Sequence, residues 1–453
     1  PRKGEMISAT DPQNTFNNLG IAPKLLEILS HQKFTHPTPI QQQSIPIAVQ
    51  GKDIMGIAQT GTGKTLAFGV PMIQRLAQSR GKSKGLIILP TRELALQVDE
   101  TLRKIGHTLG LRTAILIGGE PMGKQIRALR DKPHILIATP GRLIDHLEST
   151  KLNLSNVGIL VLDEADRMLD MGFAPQIKRI LQRVPKARQT MLFSATMPDE
   201  IVTIARSYMS LPLRIEVAPS GTAVKTVTHE VFFVQKQEKP ALLRSILSEY
   251  KGSVLVFSRT KYGAQKIARA VRNIGHKATE IHSNRSLHQR LEALEGFKIG
   301  RYRVLVATDI AARGIDVIGI ELVINYDLPS TAEDYVHRIG RTARAGMTGH
   351  AISFATPDQR GEIRNIERLI RKTLPVSRAS FAGRPPAQYH EDESGKFRDR
   401  RDSRGHAPRG SFRSKRRYEN RGRSSRPYRG RSRPYYRNGG YFMKRGKTDS
   451  SAE

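Results

Sequence analysis

Short apolar runs alternate with longer amphipathic stretches through the first half of this chain. The runs lie at 54–57, 85–89, 114–117, 134–138, 158–162 and 191–193. They are almost continuously apolar, as is typical of strands that helices cover on both faces. Two of the intervening stretches, 92–109 and 175–184, have the apolar spacing of amphipathic helices. The pattern therefore predicts an α/β unit with a parallel sheet over residues 15–217.

The same pattern starts again in the second half of the chain. After a segment containing Pro219 and Gly221, apolar runs recur at 231–234, 253–257, 304–307, 322–324 and 351–354. We predict a second α/β unit over 225–374, a linker at 218–224 and an N-terminal extension at 1–14. The two units share no sequence repeat at the level of identity.

Beyond the second unit, at 375–453, the periodicity disappears and Arg, Gly, Ser and Tyr dominate. Such a composition buries too little apolar surface to offset the entropy of ordering, so this segment is predicted to be disordered. Residues 376–453 carry 22 basic and 8 acidic residues, a net charge of +14. Tyrosines among arginines supply stacking faces and cations together, which favours RNA contact over the alternative of a solvated tail that only confers solubility.

Positive charge is not confined to that tail. The whole chain of 453 residues has a formal net charge of +34, so its first 375 residues carry +20. An excess of this size favours a polyanionic partner, although a generally basic protein is the alternative. The chain has no cysteine, no signal-like N-terminus and no apolar run of 18 residues. We expect a cytoplasmic protein without a membrane anchor.

One loop in the first unit has the composition of a phosphate-binding loop. The run 54–57 leads into Ala58-Gln59-Thr60-Gly61-Thr62-Gly63-Lys64-Thr65. Glycines let backbone amides approach phosphates, Lys64 adds a charge for the terminal phosphates, and Thr65 offers a hydroxyl to magnesium. Ala58 stands where the general pattern has glycine. The alternative is a glycine-rich turn without a ligand.

Three carboxylates follow the apolar run 158–162. Asp163, Glu164 and Asp166 lie at its carboxyl end, where open α/β sheets bind their ligands. Asp163 is suited to hold magnesium together with Thr65, and Glu164 to orient or deprotonate an attacking water. An ordinary solvated acidic cluster is the alternative if these residues are considered alone. With the phosphate loop, they predict nucleotide hydrolysis.

The order of these motifs resembles that of the DEAD-box family of ATP-dependent RNA helicases, whose eponymous tetrapeptide is Asp163-Glu164-Ala165-Asp166. The resemblance covers residues 16–374. Ala58 is the family's usual residue at its position. The resemblance implies two tandem RecA-like domains with parallel sheets, followed by a basic tail as in bacterial-type members. It also implies an ATP hydrolase that unwinds short RNA duplexes or remodels RNA–protein complexes.

For the nucleotide, the resemblance implies roles for residues on both sides of the phosphate loop. Phe34 would stack on adenine, Gln41 would pair with its edge, and Phe16 would support them. Lys33 replaces a common glycine, and Asp316 would contact the ribose. Residues Ala58, Gln59, Thr60, Gly61, Thr62, Gly63, Lys64 and Thr65 would hold the phosphates of ATP with Mg²⁺.

The resemblance also implies a coupling network and two arginine fingers. Asp166, Ser194, Thr196 and His337 would link the carboxylates to RNA. Arg341 and Arg344 would reach the transferring phosphoryl group from the second unit, because a guanidinium is always charged and binds bidentately. Lys64, Asp163 and Glu164 would complete the catalytic set. Ala343 replaces a more common glycine.

The implied RNA contacts are hydroxyls, backbone amides and arginines, which hold the sugar-phosphate backbone without reading sequence. In the first unit they are Pro90, Thr91, Arg92, Gly118, Gly119, Thr139, Gly141 and Arg142. In the second unit they are Arg259, Arg290, Thr308 and Asp309. Leu287 departs from the family by occupying its usual glutamine position, three residues before Arg290.

The sequence thus predicts a monomeric RNA helicase with ATP and Mg²⁺ as cofactors, RNA as its partner and ribonucleoproteins as further partners. Its two domains would close around ATP and RNA. An ATP-gated clamp or annealing chaperone stays open, because the motifs do not separate it from a helicase. A non-enzymatic RNA-binding protein and a DNA helicase fit the intact catalytic residues and the family motifs less well.

Overall fold

The computed structural model describes residues 15–59, 61–79, 81–150, 152–217, 227–312, 317, 319–343 and 348–377. The extension predicted at 1–14 and the linker predicted at 218–224 lie outside these residues, as does the predicted tail from position 378 onward. Within the described part of the chain, every helix is too short or too polar to cross a bilayer.

A seven-stranded parallel sheet forms the first lobe, the name used here for the part of the chain that carries β1–β7. Its strand order is β3-β4-β2-β5-β6-β1-β7. The strands are β1 (Ile54–Ile57), β2 (Lys84–Ile88), β3 (Thr113–Leu116), β4 (Ile135–Ala138), β5 (Val157–Leu162), β6 (Gln189–Ser194) and β7 (Leu213–Glu216). Most of these strand residues are buried, since helices cover both faces of the sheet.

The helices of the first lobe precede and connect these strands. They are α1 (Pro23–His31), α2 (Pro39–Val49), α3 (Lys64–Gln78), α4 (Arg92–Gly106), α5 (Met122–Arg130), α6 (Pro140–Ser149), α7 (Ala165–Asp170), α8 (Ala174–Leu181) and α9 (Asp199–Tyr208). The predicted helix 92–109 is α4 followed by a 3₁₀ turn, and the predicted helix 175–184 is α8. The Thr91 hydroxyl begins α4 by accepting from the amide of Leu94.

The second lobe carries β8–β14 in another seven-stranded parallel sheet. Its strands are β8 (Val227–Phe233), β9 (Val254–Phe257), β10 (Ala278–Ile281), β11 (Val304–Ala307), β12 (Leu322–Asn325), β13 (Gly349–Ala355) and β14 (Val376–Ser377). Its helices are α10 (Lys239–Glu249), α11 (Lys261–Asn273), α12 (Leu287–Lys298), α13 (Asp309–Ala312), α14 (Ala332–Ile339) and α15 (Arg360–Ile370). The strand order is β10-β11-β9-β12-β13-β8-β14, which repeats the order of the first lobe position by position.

The predicted fold class is confirmed, and three strands were missed. β7 exposes three of its four residues, β10 contains Glu280, and β14 has only two residues, so none has a sustained apolar run. β14 also corrects the start of the predicted tail. The amide of Val231 donates to the Pro375 carbonyl at 2.8 Å, and residues 376–377 extend the second sheet along β8.

Candidate functional site

The strand order divides the carboxyl edge of each sheet into two halves. In the first lobe, β5, β6 and β1 lie next to one another in that order. The carboxylates follow β5, Ser194 ends β6, and the phosphate loop follows β1. The predicted RNA residues follow β2, β4 and β3, which form the other half. In the second lobe, Arg259, Arg290 and Thr308 follow β9, β10 and β11, and α14 follows β12. The topology therefore places the predicted nucleotide residues and the predicted RNA residues side by side.

The phosphate loop is a turn that favours glycine. Gly61 and Gly63 have φ of +84° and +88°, and a Cβ on Gly63 would lie 2.4 Å from Nε2 of Gln41. Lys64 begins the 15-residue helix α3 and donates from Nζ to the Ala58 carbonyl at 3.0 Å. The loop thus directs a helix N-terminus and a buried lysine to one point, an arrangement suited to phosphate.

Gln41 connects the predicted adenine-reading segment to this loop. Its Nε2 donates to the Gly63 carbonyl at 2.9 Å, and its Oε1 accepts from the amide of Thr38 at 2.9 Å in a capping box that begins α2. The Nε2 group has a second hydrogen to donate and Oε1 has a second lone pair, so both can bind the edge of adenine. Phe16 is buried, whereas Phe34 is half-buried and packs on the same apolar cluster.

The three carboxylates are buried at the end of β5. Asp163 Oδ1 accepts from the amide of Glu164 at 2.9 Å. Burial raises the pKa of Asp163 to about 6, Glu164 and Asp166 add to that effect, and Lys64 opposes it. Glu164 has φ of +52°, a left-handed conformation that is strained for a residue with a side chain. Glu164 is the residue that the sequence predicts to activate water.

Arg167 is a residue of this site that sequence reasoning missed. Its side chain is buried, and Nε lies 3.7 Å from Glu164 Oε2, an oxygen that has no hydrogen-bond partner although it is buried. Arg167 lies three residues after Glu164, a spacing that places both side chains on one face of a helix. That spacing is the sequence signal that could have identified Arg167. Arg167 thus supplies positive charge beside the predicted water-activating group.

The coupling residues form a compact hydrogen-bond network. Asp166 Oδ2 accepts from the amides of Ala195 and Thr196 at 3.0 and 2.8 Å, and from the Thr196 hydroxyl at 3.0 Å. The Ser194 hydroxyl accepts from the Asp166 amide at 3.2 Å. These bonds tie Asp166 to the segment that follows β6.

Asp166 and His337 come close to each other although they belong to different lobes. Burial alone would raise the pKa of Asp166, but its neighbours hold it below the ordinary value. Burial and then Arg167 lower the pKa of His337 to about 3. Because His337 is then neutral, we attribute the low pKa of Asp166 to Lys64, Arg167 and the Thr196 amide.

Arg341 lies in the same region as His337. A small cavity is lined by Arg167 of the first lobe together with His337 and Arg341 of the second. Arg341 is buried just after α14. The structure therefore brings the predicted arginine finger to the side of the cleft where Glu164 and Arg167 lie.

Arg338 holds α14 in place, and sequence reasoning did not single it out. Its guanidinium donates to both oxygens of Asp309, at 2.6 and 2.8 Å, and to Asn325 at 3.1 Å. It also lies over the Phe257 ring at 4.9 Å. Asp309, which the sequence predicts as an RNA contact, therefore also helps to orient α14 through its carboxylate.

The RNA residues of the first lobe surround the guanidinium of Arg92. Gly119 has φ of +81°, and a Cβ there would lie 2.2 Å from Arg92 Nη1. Arg142 donates to the Glu120 carbonyl at 2.9 Å and so fixes the loop that contains Gly118 and Gly119. Pro90 and Thr91 are buried where β2 leads into α4, and Thr139 and Gly141 lie at the start of α6.

The RNA residues of the second lobe approach those of the first. Arg290 donates from Nε to Glu93 Oε1 at 2.7 Å, and its terminal nitrogen bonds the same oxygen. Burial and then Arg290 and Arg142 lower the pKa of Arg92, while Glu93 opposes them. Positive groups from both lobes thus converge on one edge, which suits a polyanion. Arg259 is exposed, and its amide donates to Asp327 at 3.0 Å.

Three predicted residues lie outside the described ones: Thr60, Asp316 and Arg344. Two departures from the family pattern acquire a physical meaning. Lys33 and Ala343 stand where the family commonly has glycine, and their φ values are +62° and +54°. Glycine is favoured at such left-handed positions because it has no Cβ to clash.

The residues at the phosphate loop fit magnesium. Among the described residues, His, Cys, Asp and Glu side chains form no cluster of three that would cage a metal. Magnesium, however, is usually held by one or two carboxylates with substrate phosphates and water. The buried Asp163, the half-buried Thr65 and the unpartnered oxygen of Glu164 provide that donor set.

Comparison with known proteins identifies the family. Residues 38–204 match the family model of the DEAD/DEAH box helicase, and residues 238–346 match that of the helicase conserved C-terminal domain. The chain belongs to the DEAD-box family of ATP-dependent RNA helicases. It is an RNA-dependent ATPase built from two RecA-like domains, as the family resemblance implied.

The helicase is similar to relatives from yeasts and from bacteria. It is 44% identical over 363 residues to the ATP-dependent rRNA helicase RRP3 of Debaryomyces hansenii, covering 80% of this chain and 76% of that protein. It is 44% identical over 361 residues to the DEAD-box ATP-dependent RNA helicase CshA of Bacillus cereus, covering 80% and 69%.

A solved structure of similar fold contains both ligand types. Dbp5 of S. cerevisiae bound to RNA and ADP-BeF₃ matches with a TM-score of 0.73 and 29% identity, covering 81% of this chain and 95% of that one. A match over 81% of this chain spans both lobes, so the two-lobe fold is shared with that structure.

Proposed function

We propose that this helicase couples ATP hydrolysis to local RNA unwinding by closing its two lobes over ATP and RNA. One observation carries the proposal: Arg167 of the first lobe and His337 and Arg341 of the second line a single cavity beside Glu164. A site assembled from two lobes is complete only when they meet. ATP binding would therefore shift the lobes toward the arrangement that holds RNA tightly.

The residues of the nucleotide half would act as follows. The amides of the loop and Lys64 bind the phosphates, while Phe34 and Gln41 bind the base. Asp163 and Thr65 would hold Mg²⁺, which when bound neutralises phosphate charge. Glu164 orients the attacking water and accepts its proton, and Arg341 stabilises the negative charge that develops on the transferring group. We propose the same role for Arg344 and a ribose contact for Asp316.

The RNA half would hold one strand by its backbone. Arg92 and Arg142 bind phosphates from the first lobe, and Arg259 and Arg290 bind them from the second, without reading bases. A strand held across both lobes follows their surface, which is incompatible with a straight duplex, so the partner strand is released. The basic tail would add affinity that is not specific for sequence.

We propose further that ribonucleoproteins are among its substrates, because backbone recognition does not depend on bare RNA. A cytoplasmic protein acting as a monomer is the simplest form of this proposal, since one chain supplies both lobes of the site. Displacement of a labelled strand from a short duplex, compared with annealing of the same strands, tests unwinding against clamping.

Glu164→Gln is the experiment that tests the mechanism. The amide keeps the size of the side chain but cannot accept the proton, so we expect RNA-stimulated ATP turnover to fall by about 100-fold or more. ATP affinity, measured by fluorescence of a labelled analogue, should change little. Glu200→Gln, on the exposed first turn of α9, is the matched control. Turnover like that of the parent chain in Glu164→Gln would refute the assignment of Glu164.

A further inference from the structure

Leu287, the residue at the family's glutamine position, lies between the lobes. It is the first residue of α12 and only 8% exposed. It belongs to an apolar cluster whose other buried members all come from the first lobe, and Leu291 packs against the same cluster. Among the described residues of the second lobe, Leu287 and Leu291 are the two that join it.

The face of α12 that carries Leu287 is held in register. Ser286 begins the helix in a capping box with Gln289, which fixes the first turn. Leu287, Arg290 and Leu291 are spaced three and four residues apart, so they share one face of the helix. Arg290 on this face pairs with Glu93 in the first turn of α4.

We propose that Leu287 is a positioning residue for the helicase cycle, whose apolar contact with the first lobe favours the closed arrangement. The inference rests on the closure proposed above. It adds a role for Leu287, the residue at which this chain departs from the family pattern. The contact exists only where the lobes meet, so its free energy contributes to closure and not to the stability of either lobe.

An apolar contact and an ion pair respond differently to salt. Salt screens charges, although it screens a partly buried pair such as Arg290–Glu93 less than an exposed pair. Salt does not weaken apolar burial. Burying a leucine side chain changes an equilibrium constant by about tenfold. The closed state of this chain should therefore persist at higher salt than contacts between polar groups alone would allow.

Fluorescence energy transfer in the full chain tests this directly. The chain has no cysteine, so Lys82→Cys and Glu249→Cys, both at exposed positions of different lobes, would carry two dyes without background labelling. Energy transfer and affinity for a single-stranded RNA oligonucleotide are measured with and without AMP-PNP and magnesium. The variants are Leu287→Gln, Leu287→Met and, as a matched control on the exposed face of α12, His288→Gln.

We expect Leu287→Gln to lose about tenfold of the RNA affinity gained with AMP-PNP, most clearly at high salt, and to show less energy transfer. Its affinity for RNA without nucleotide and for ATP without RNA should match the parent chain, which excludes misfolding. Leu287→Met and His288→Gln should resemble the parent. Parent-like closure in Leu287→Gln overturns the proposal, as does an equal loss in Leu287→Met. If AMP-PNP does not change the energy transfer of the parent chain, that result overturns the proposed closure, and this inference with it.

Discussion

The two lobes have the same strand order but use equivalent positions differently. β1 leads to Lys64 in the first lobe, and β8 leads to Lys239 in the second. Asp163 follows β5, and Asp327 follows the equivalent strand β12. Each lobe thus places a buried lysine and an aspartate after two strands that are separated by one other strand of the sheet. The first lobe has a phosphate loop there, whereas the second has an internal ion pair.

The difference lies in what surrounds each pair. Lys239 Nζ donates to Asp327 at 3.2 Å and to the Tyr326 carbonyl at 2.6 Å, and Asp327 accepts as well from Ser258 and from the Arg259 amide. The loop before Lys239 contains no glycine. Topology therefore brings the charged residues together, but only a glycine-rich loop leaves room for phosphate beside them.

The largest expected effect comes from neutralising the two aspartates separately. Asp163→Asn removes a metal ligand, and we expect ATP turnover to fall on the order of 100–1,000-fold. Asp327→Asn leaves Lys239 without its counter-charge, so the second lobe should lose about 1–3 kcal/mol of stability while ATP affinity is retained. Steady-state ATPase assays and thermal unfolding measure the two outcomes. Equal losses of turnover would show that the two positions are not functionally distinct.

A buried histidine of the second lobe provides a smaller, pH-dependent effect. His229 is 5% exposed, and its Nδ1 is hydrogen-bonded to the Tyr335 hydroxyl at 2.9 Å. Burial lowers its pKa to about 4, and Lys372 and His350 add to this. Below the ordinary pKa of about 6.5, His229 binds a proton in the unfolded chain but stays neutral in the folded lobe. The contribution of the neutral His229 to the stability of the lobe is therefore complete above that pH and is lost as the pH drops toward 4.

Between pH 7 and pH 5 this loss should amount to about 2 kcal/mol. His229→Asn keeps an amide that can hydrogen-bond to Tyr335 but removes the titration, so its melting temperature should fall less between these pH values than that of the parent chain. His288→Asn, at an exposed position, is the control. The first lobe should not follow this titration, and an identical pH dependence in parent and His229→Asn would contradict the assignment.

The smallest expected effect concerns the RNA edge of the first lobe. Gly119→Ala places a Cβ against Arg92 and should displace its guanidinium, so RNA affinity should fall by about tenfold while ATPase without RNA is retained. Gly110→Ala is a matched control, because Gly110 has φ of +73° and no atom within 4 Å of the added Cβ. Binding titrations with a single-stranded RNA distinguish them. If both variants weaken RNA equally, backbone strain and not the clash is responsible.

Much of the fold followed from local patterns. Continuous apolar runs predicted the six strands β1–β6, because a strand covered on both faces must be apolar along its length. Edge strands such as β7 need burial on fewer positions, and their sequences therefore do not differ from those of loops. The individual motifs likewise followed from the types and spacing of Lys64, Asp163 and Glu164.

Local sequence does not contain contacts between distant segments. Arg338 on Asp309 and Arg290 on Glu93 each pair residues whose proximity depends on chain packing. Leu287 shows this most clearly. Its sequence position indicated only a missing glutamine, and its burial against the first lobe depends on where α12 lies relative to α4.

The sequence by itself determined the fold class, the phosphate loop, the carboxylates and the arginines, because periodicity and motif spacing are local properties of the chain. Tertiary structure decided the rest. The strand order separated the nucleotide half from the RNA half, and packing of the lobes assembled one site from both. Packing also set the ionisation of Asp166 and His337, since desolvation and neighbouring charge depend on which residues surround a group in space.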